Sequence, residues 1–72
     1  MMIKRISNNY YFLSLDVEID HTRQDAYFTV ETGIFNTSGS YRKHTYTTGK
    51  AAFRKYEQYE NKLFLEYGIK ES

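Results

Sequence analysis

Three carboxylates occupy alternate positions of the chain, at Asp16, Glu18 and Asp20. Carboxylates at this spacing could bind a metal ion or a basic partner. In an extended strand such side chains share one face and lie about 7 Å apart, because each residue rises about 3.4 Å. A Mg²⁺ or Ca²⁺ ion needs several oxygens at about 2.0 to 2.6 Å, so these carboxylates would need further ligands, with Asp25 the nearest candidate. Two interpretations are stronger than a metal site: a solvated outer face, and an acidic stripe that meets a basic partner.

The remaining reactive side chains have no partner at a recognisable spacing. His21 and His44 lack the neighbouring His or Cys ligands of a zinc site, and the chain contains no Cys. Thr48–Lys50 lacks the leading glycine and the following Ser or Thr of a phosphate-binding loop. We therefore expect a non-enzymatic protein that holds no metal and no cofactor.

The composition indicates one small domain over residues 1–72 with a large supply of aromatic side chains. Eight Tyr and five Phe stand against no Trp, no Pro and no Cys. A domain of this size buries only about 60% of its unfolded surface, and without disulfides it depends on aromatic packing or on self-association. We expect a cytoplasmic protein without a membrane segment, and a homodimer is one way to cover its remaining apolar surface.

Two strands are predicted from the strict alternation of apolar and polar residues, and they span Tyr10–Asp20 and Asp25–Phe35. With a loop at residues 21–24, an antiparallel hairpin brings both apolar sides onto one face, so the register is self-consistent. This register pairs Tyr11 with Ile34, Leu13 with Thr32, Leu15 with Val30, and Val17 with Phe28.

The opposite face of this hairpin divides into an aromatic zone and an acidic zone. The aromatic zone surrounds Gly33, and a glycine inside a strand indicates a bulge or the close approach of another backbone. The acidic zone begins at Asp16 and continues toward the hairpin loop. Aromatic rings within a charged rim are typical of interface hot spots. The predicted partner-binding residues are Tyr10, Phe12, Asp16, Glu18, Asp20, Tyr27 and Phe35.

A third strand at Tyr41–Thr47 is β-prone and basic, which suits the edge of a sheet. Its register stays open, so the face that carries Arg42 and His44 is not predicted. A helix is predicted from about Thr48 to Tyr67, with Gly68 as its stop. The predicted fold is α+β, a three-stranded antiparallel sheet with one C-terminal helix packed on one face. The apolar stripe of the helix comprises Ala52, Phe53, Tyr56, Tyr59, Leu63, Phe64 and Tyr67.

Charge is segregated along the chain although the formal net charge is only +1. Residues 14–31 contain five carboxylates and one arginine, a net −4, whereas residues 41–56 contain five cations and no acid, a net +5. Cations in the first half of a helix oppose its macrodipole, which disfavours them by about 0.3 to 1 kcal/mol each. The cations therefore either have a binding role or pair with acids of the sheet. The candidate nucleic-acid-binding residues are Arg42, Lys43, Lys50, Arg54 and Lys55.

The segment 39–57, GSYRKHTYTTGKAAFRKYE, resembles the last strand and helix start of the arm-type DNA-binding domains of phage integrases. Those domains read DNA with a three-stranded sheet backed by one helix, which implies Arg42, His44 and Tyr46 as DNA-contacting candidates. In size, lack of Cys, Tyr content and acidic strand face, the whole chain is similar to small phage or mobile-element inhibitors of host defence, the anti-CRISPR proteins among them. That second likeness rests on general character and assigns no residues.

From these patterns we predict first a protein-binding module that docks its acidic and aromatic face on a larger partner. The matching partner surface is basic, as nucleic-acid-binding surfaces are, and the module would act as a small phage or mobile-element inhibitor. One alternative is a nucleic-acid-binding module that uses the basic strand and helix start. The other is a structural homo-oligomer that buries the same face against its copy.

Overall fold

The computed structural model describes residues 1–22 and 25–67, and within these ranges it contains one four-stranded sheet and one helix. The strands lie in the order in which they occur along the chain, and all neighbouring pairs are antiparallel. The elements are β1 Met2–Ser7, β2 Tyr11–Asp20, β3 Asp25–Ile34, β4 Arg42–Tyr46 and α1 Gly49–Tyr67. The α+β class, the antiparallel sheet and the C-terminal helix are confirmed.

The predicted number of three strands was wrong, because the amino terminus adds β1 beside β2. Ile6 lies opposite Leu13 and Lys4 lies opposite Leu15, and the register shifts between Met2 and Lys4. Of the β1 side chains only Ile6 is buried. The strand could not be recognised from sequence because its alternation of apolar and polar residues is weak. It has one buried residue, two adjacent cations and an irregular register.

The hairpin of β2 and β3 has the predicted register. Leu15 lies opposite Val30, and the other three predicted pairs also occur. The ladder continues one step beyond the strands, where the N–H of Phe35 donates to the carbonyl of Tyr10 over 2.6 Å. The unbroken alternation over ten residues in each strand explains the success, because a shift by one residue would turn every apolar side chain to the other face.

The helix covers the apolar side of the sheet and encloses the core with it. Ala52 and Tyr56 are fully buried, Leu63 is nearly so, and Phe53 and Tyr59 pack against the same cluster from its margin. The predicted stripe is thus confirmed for these five, while the side chains of Phe64 and Tyr67 and all of Gly68 lie outside the described part. The sheet contributes Ile6, Tyr11, Leu13, Leu15 and Val30.

The start of α1 follows from a local cap. The hydroxyl of Thr48 accepts from the N–H of Ala51 over 3.4 Å, which satisfies one of the free donors of the first turn. The first turn contains no acid and the last turn contains no base, so the charges of the helix do not complement its macrodipole.

The hairpin extends beyond its neighbours as a two-stranded ribbon. Pairing with β1 ends near Asp16, and pairing with β4 ends at Phe28. We call residues 18–20 and 25–27 the ribbon. Ile19, on the helix side of the ribbon, is 61% exposed because neither the helix nor another strand reaches far enough to cover it.

Candidate functional site

The side of the sheet opposite the helix is covered by no other element among the described residues, and we call it the open face. Alternation assigns to it every second residue of each strand, so its members follow from the registers of the three strand pairs. Across its middle, β1 to β4 contribute Arg5, Ser14, Glu31 and Lys43 in one row. The open face therefore contains the cations Arg5 and Lys43 as well as all five carboxylates of the strands.

One end of the open face carries an aromatic cluster of Phe12, Phe35 and Tyr41. The ring centroid of Phe12 lies 5.7 Å from that of Phe35 and 6.4 Å from that of Tyr41. Gly33 lies beneath this cluster, and a Cβ added to it would be 2.9 Å from Cε1 of Phe12. The register at Gly33 is regular, so the predicted bulge does not occur here. The Cα of Tyr41 lies 3.6 Å from the position of the added Cβ, so another backbone approaches Gly33 as well as the Phe12 ring.

The cluster is bordered by charges and stays accessible. The guanidinium of Arg5 lies 5.6 Å from the ring centroid of Phe12, within range of a cation–π interaction. Phe35 and Tyr41 are 42% and 52% exposed, and the adjacent Tyr10 is 68% exposed. The pKa of the Tyr41 phenol is raised by desolvation, and further by hydrogen bonding to Glu31 and by the negative charge of that carboxylate.

The other end of the open face is acidic. Asp16, Glu18 and Asp20 share this face as predicted from alternation, and Glu18 lies opposite Tyr27. At the tip Asp20 lies opposite Asp25, and like charges in directly opposed positions destabilise a strand pair. The carboxylate of Asp20 accepts from the N–H of Thr22 over 2.9 Å, so this one acid also holds the turn.

Within the described ranges no group of three His, Cys, Asp or Glu residues is placed to hold a metal ion. The structure places Phe12 and Phe35 together at one end of the open face, and it places Asp16, Glu18 and Asp20 with Tyr27 toward the other end of the same face. Sequence reasoning missed Tyr41 and Arg5. The first precedes a strand whose register was open, and the second belongs to the strand that was not recognised.

The five candidate nucleic-acid-binding cations do not all lie on one surface. Val30 lies opposite His44 and Thr32 lies opposite Arg42, so the alternate residues Arg42, His44 and Tyr46 belong to the helix side of the sheet. Lys43 belongs to the open face. The residues implied by the integrase resemblance therefore lie on the side away from the open face. Lys50, Arg54 and Lys55 belong to α1, where Lys50 and Arg54 are exposed and Lys55 is partly buried.

Along the edge of the sheet, β4 and α1 meet in a row of aromatic rings and cations. Nε2 of His44 and the hydroxyl of Tyr59 are hydrogen-bonded at 2.8 Å. The ring centroid of His44 lies 6.4 Å from that of Tyr46, and Nζ of Lys55 lies 5.1 Å from the ring centroid of Tyr59. This row is separated from the open face by the sheet itself.

Comparison of the sequence and structure with protein-family models, curated proteins and solved structures finds no match. Among the described residues no helix is long and apolar enough to cross a membrane. The geometry of the two surfaces is therefore the basis for assigning a function to this small α+β domain.

Proposed function

We propose that this chain is a non-enzymatic protein-binding module that docks its open face on a larger protein with a basic surface beside an apolar patch. The observation that carries the proposal is the continuity of the exposed aromatic cluster with the acidic end on a face that the helix leaves uncovered. Interface hot spots have this composition, with aromatic anchors surrounded by polar and charged side chains.

The aromatic cluster supports docking because its rings are largely exposed and are not part of the buried core. Phe35 and Tyr41 leave large parts of their surfaces in water, although the opposite side of the same sheet contains a fully buried core. Covering apolar area on binding stabilises a complex by roughly 25 cal/mol per Å² before the costs of association are subtracted. A partner that covers these rings therefore gains affinity without disturbing the core.

The acidic end supports a basic partner. Asp16 and Glu18 share the open face at alternate positions of β2, so an approaching cation would be attracted by both carboxylates. Carboxylates repeated at about 7 Å along a strand also present a regular row of negative charge, which a phosphate-binding surface can accept. We infer that the partner surface is basic and of the kind that binds nucleic acid, so that docking would block it as a small inhibitor does.

The experiment uses the purified chain and a partner identified by pull-down from the source cell with mass spectrometry. Changing Asp16, Glu18 and Asp20 to Lys is expected to abolish binding, and circular dichroism checks the fold because Asp16 and Asp20 are partly buried and Asp20 holds the turn. Glu18→Lys alone changes the exposed carboxylate, which contributes little to stability, and is expected to weaken binding with the fold in place. Glu57 is exposed on α1 and supplies the control, because Glu57→Lys makes the same kind of charge change away from the open face.

A second pair of variants tests the aromatic end. Phe35→Ser is expected to weaken binding at least tenfold, as loss of a hot-spot aromatic does, whereas Leu65→Ser removes an exposed apolar side chain from the helix and is expected to have no effect. Full binding by both the acidic triple variant and Phe35→Ser would contradict the proposal. Equal losses in the two control variants would do so as well.

A further inference from the structure

A second surface of different chemistry lies where the edge strand β4 meets the helix. We call it the β4–α1 seam and define it by Arg42, His44 and Tyr46 of the strand and Lys55, Tyr59 and Lys62 of the helix. The strand residues alternate, so their side chains share the helix side of the sheet. The helix residues recur at intervals of four and three, which places them on one side of α1.

The rings of the seam form a connected row. His44 is hydrogen-bonded to Tyr59 and lies between it and Tyr46, with centroid separations of 5.8 Å and 6.4 Å. The interplanar angles are 36° and 27°, so the three rings are tilted only moderately relative to one another. All three side chains are partly buried, which fixes their orientation while leaving surface for a ligand.

Two shallow clefts flank this row. The first, of about 270 Å³, lies toward the end of α1 and includes Arg42, Tyr59 and Lys62 in its lining. The second, of about 300 Å³, lies toward the start of α1 and includes Tyr46 and Lys55. Each cleft thus combines one ring of the row with cations.

The charge of the clefts specifies the ligand chemistry. Their lining residues include four cations, Arg42, Arg54, Lys55 and Lys62, and one carboxylate, Glu66. A ligand that satisfies both clefts is therefore an extended polyanion with planar groups along it. Single-stranded nucleic acid has this character, since proteins bind it with a basic groove that follows the phosphates and with aromatic rings that stack on the bases.

We propose that the β4–α1 seam binds a single-stranded nucleic-acid segment, with phosphates at Arg42, Lys55 and Lys62 and bases against Tyr46 and Tyr59. A duplex fits less well because its bases are already stacked on one another, and the base edges in its grooves cannot reach partly buried rings. An acidic peptide would engage the cations and leave the rings without a matching partner. The proposal is independent of the function assigned to the open face, because the two surfaces lie on opposite sides of the sheet.

Fluorescence anisotropy with a labelled oligothymidylate of about 12 nucleotides tests the seam directly. We expect saturable binding that weakens with salt, and Arg42→Gln is expected to reduce the log–log salt slope by about 0.7, the contribution of one phosphate contact. Lys43→Gln is the matched control, because Lys43 is the next residue of the same strand but belongs to the open face. It is expected to leave the slope unchanged.

Ring stacking is tested with Tyr59→Leu and, as a second variant, Tyr46→Leu. Each is expected to lower the affinity roughly tenfold at unchanged net charge, and circular dichroism checks that the fold persists. Competition with duplex DNA and with poly-L-glutamate separates the ligand classes, and we expect both to displace the oligonucleotide poorly.

Three results would overturn the proposal. One is the absence of saturable binding at low salt. Another is a combined result: poly-L-glutamate or duplex DNA displaces the labelled oligonucleotide as efficiently as unlabelled oligothymidylate does, and the folded tyrosine variants bind the oligonucleotide with full affinity. The third is an equal loss in Lys43→Gln and Arg42→Gln, which would place the binding elsewhere than the seam.

Discussion

Replacing Gly33 with alanine separates the packing of the aromatic cluster from the stability of the sheet. The new Cβ would lie 2.9 Å from Cε1 and 3.3 Å from Cζ of Phe12, whereas carbon atoms pack best at about 3.5 to 4.0 Å. The ring must therefore retreat by roughly 0.6 to 1 Å. It can do so because Phe12 is only half-buried and belongs to the open face.

The expected change in stability is small because two effects oppose each other. Removing a glycine from a strand stabilises the fold by about 0.5 to 1 kcal/mol, through the lower entropy of the unfolded chain. Loosening the contacts of Phe12 with Phe35 and Tyr41 costs about 0.5 to 1.5 kcal/mol for each aromatic pair that is lost. If both pairs are lost, we expect the free energy of unfolding to fall by about 0 to 2.5 kcal/mol from the parent value.

The assay combines urea unfolding with near-ultraviolet circular dichroism, which reports the fixed environment of Phe and Tyr rings. Gly33→Ala is expected to change the near-ultraviolet spectrum and to weaken partner binding. Gly39→Ala is the control, since Gly39 has φ of 81° and nothing near its missing Cβ. It is expected to lose about 1 to 2 kcal/mol through backbone strain, with the ring signals intact. An unchanged spectrum and unchanged binding in Gly33→Ala would refute the assigned packing of Phe12.

Three further predictions concern the fold and its assembly. Leu15→Asp is expected to unfold the domain, because Leu15 is fully buried and burying an unpaired charge costs more than the roughly 1 to 3 kcal/mol of burying a neutral polar group. Thermal denaturation measures this, and an unchanged melting temperature would contradict the core assignment. Thr48→Ala is expected to lower the free energy of unfolding by about 0.5 to 1 kcal/mol. This is the lower part of the range for the loss of a helix cap, because the hydrogen bond of Thr48 is long at 3.4 Å. No change in urea unfolding would argue against the cap. Sedimentation at roughly tens of micromolar is expected to detect a transient dimer that Phe35→Ser weakens, and a monomer at about 1 mM would exclude it.

The hairpin register could be predicted from sequence because each strand alternates over its whole length. Only one alignment of Tyr11–Asp20 with Asp25–Ile34 buries both apolar sides together, so the acidic stripe also had a single possible face. The helix was equally clear, since Thr48 can cap it and its apolar residues recur at helical spacing.

The edge strands could not be predicted to the same depth. β1 buries only Ile6, and its register shift interrupts the alternation. β4 has a polar and partly exposed side, so the pattern in Arg42–Tyr46 does not distinguish its two faces. The β4–α1 seam could not be predicted for the same reason, because its row of rings depends on β4 placing His44 on the same side of the sheet as Tyr59.

The sheet order has a consequence for how fast the chain folds. Every strand from β1 to β4 pairs with its neighbour along the chain, so pairing needs no long loop to close. Rates rise as contacts become more local, and a chain without proline has no slow isomerisation step. Stopped-flow refolding is therefore expected to follow one exponential phase, with the central hairpin providing the template onto which both outer strands and the helix assemble.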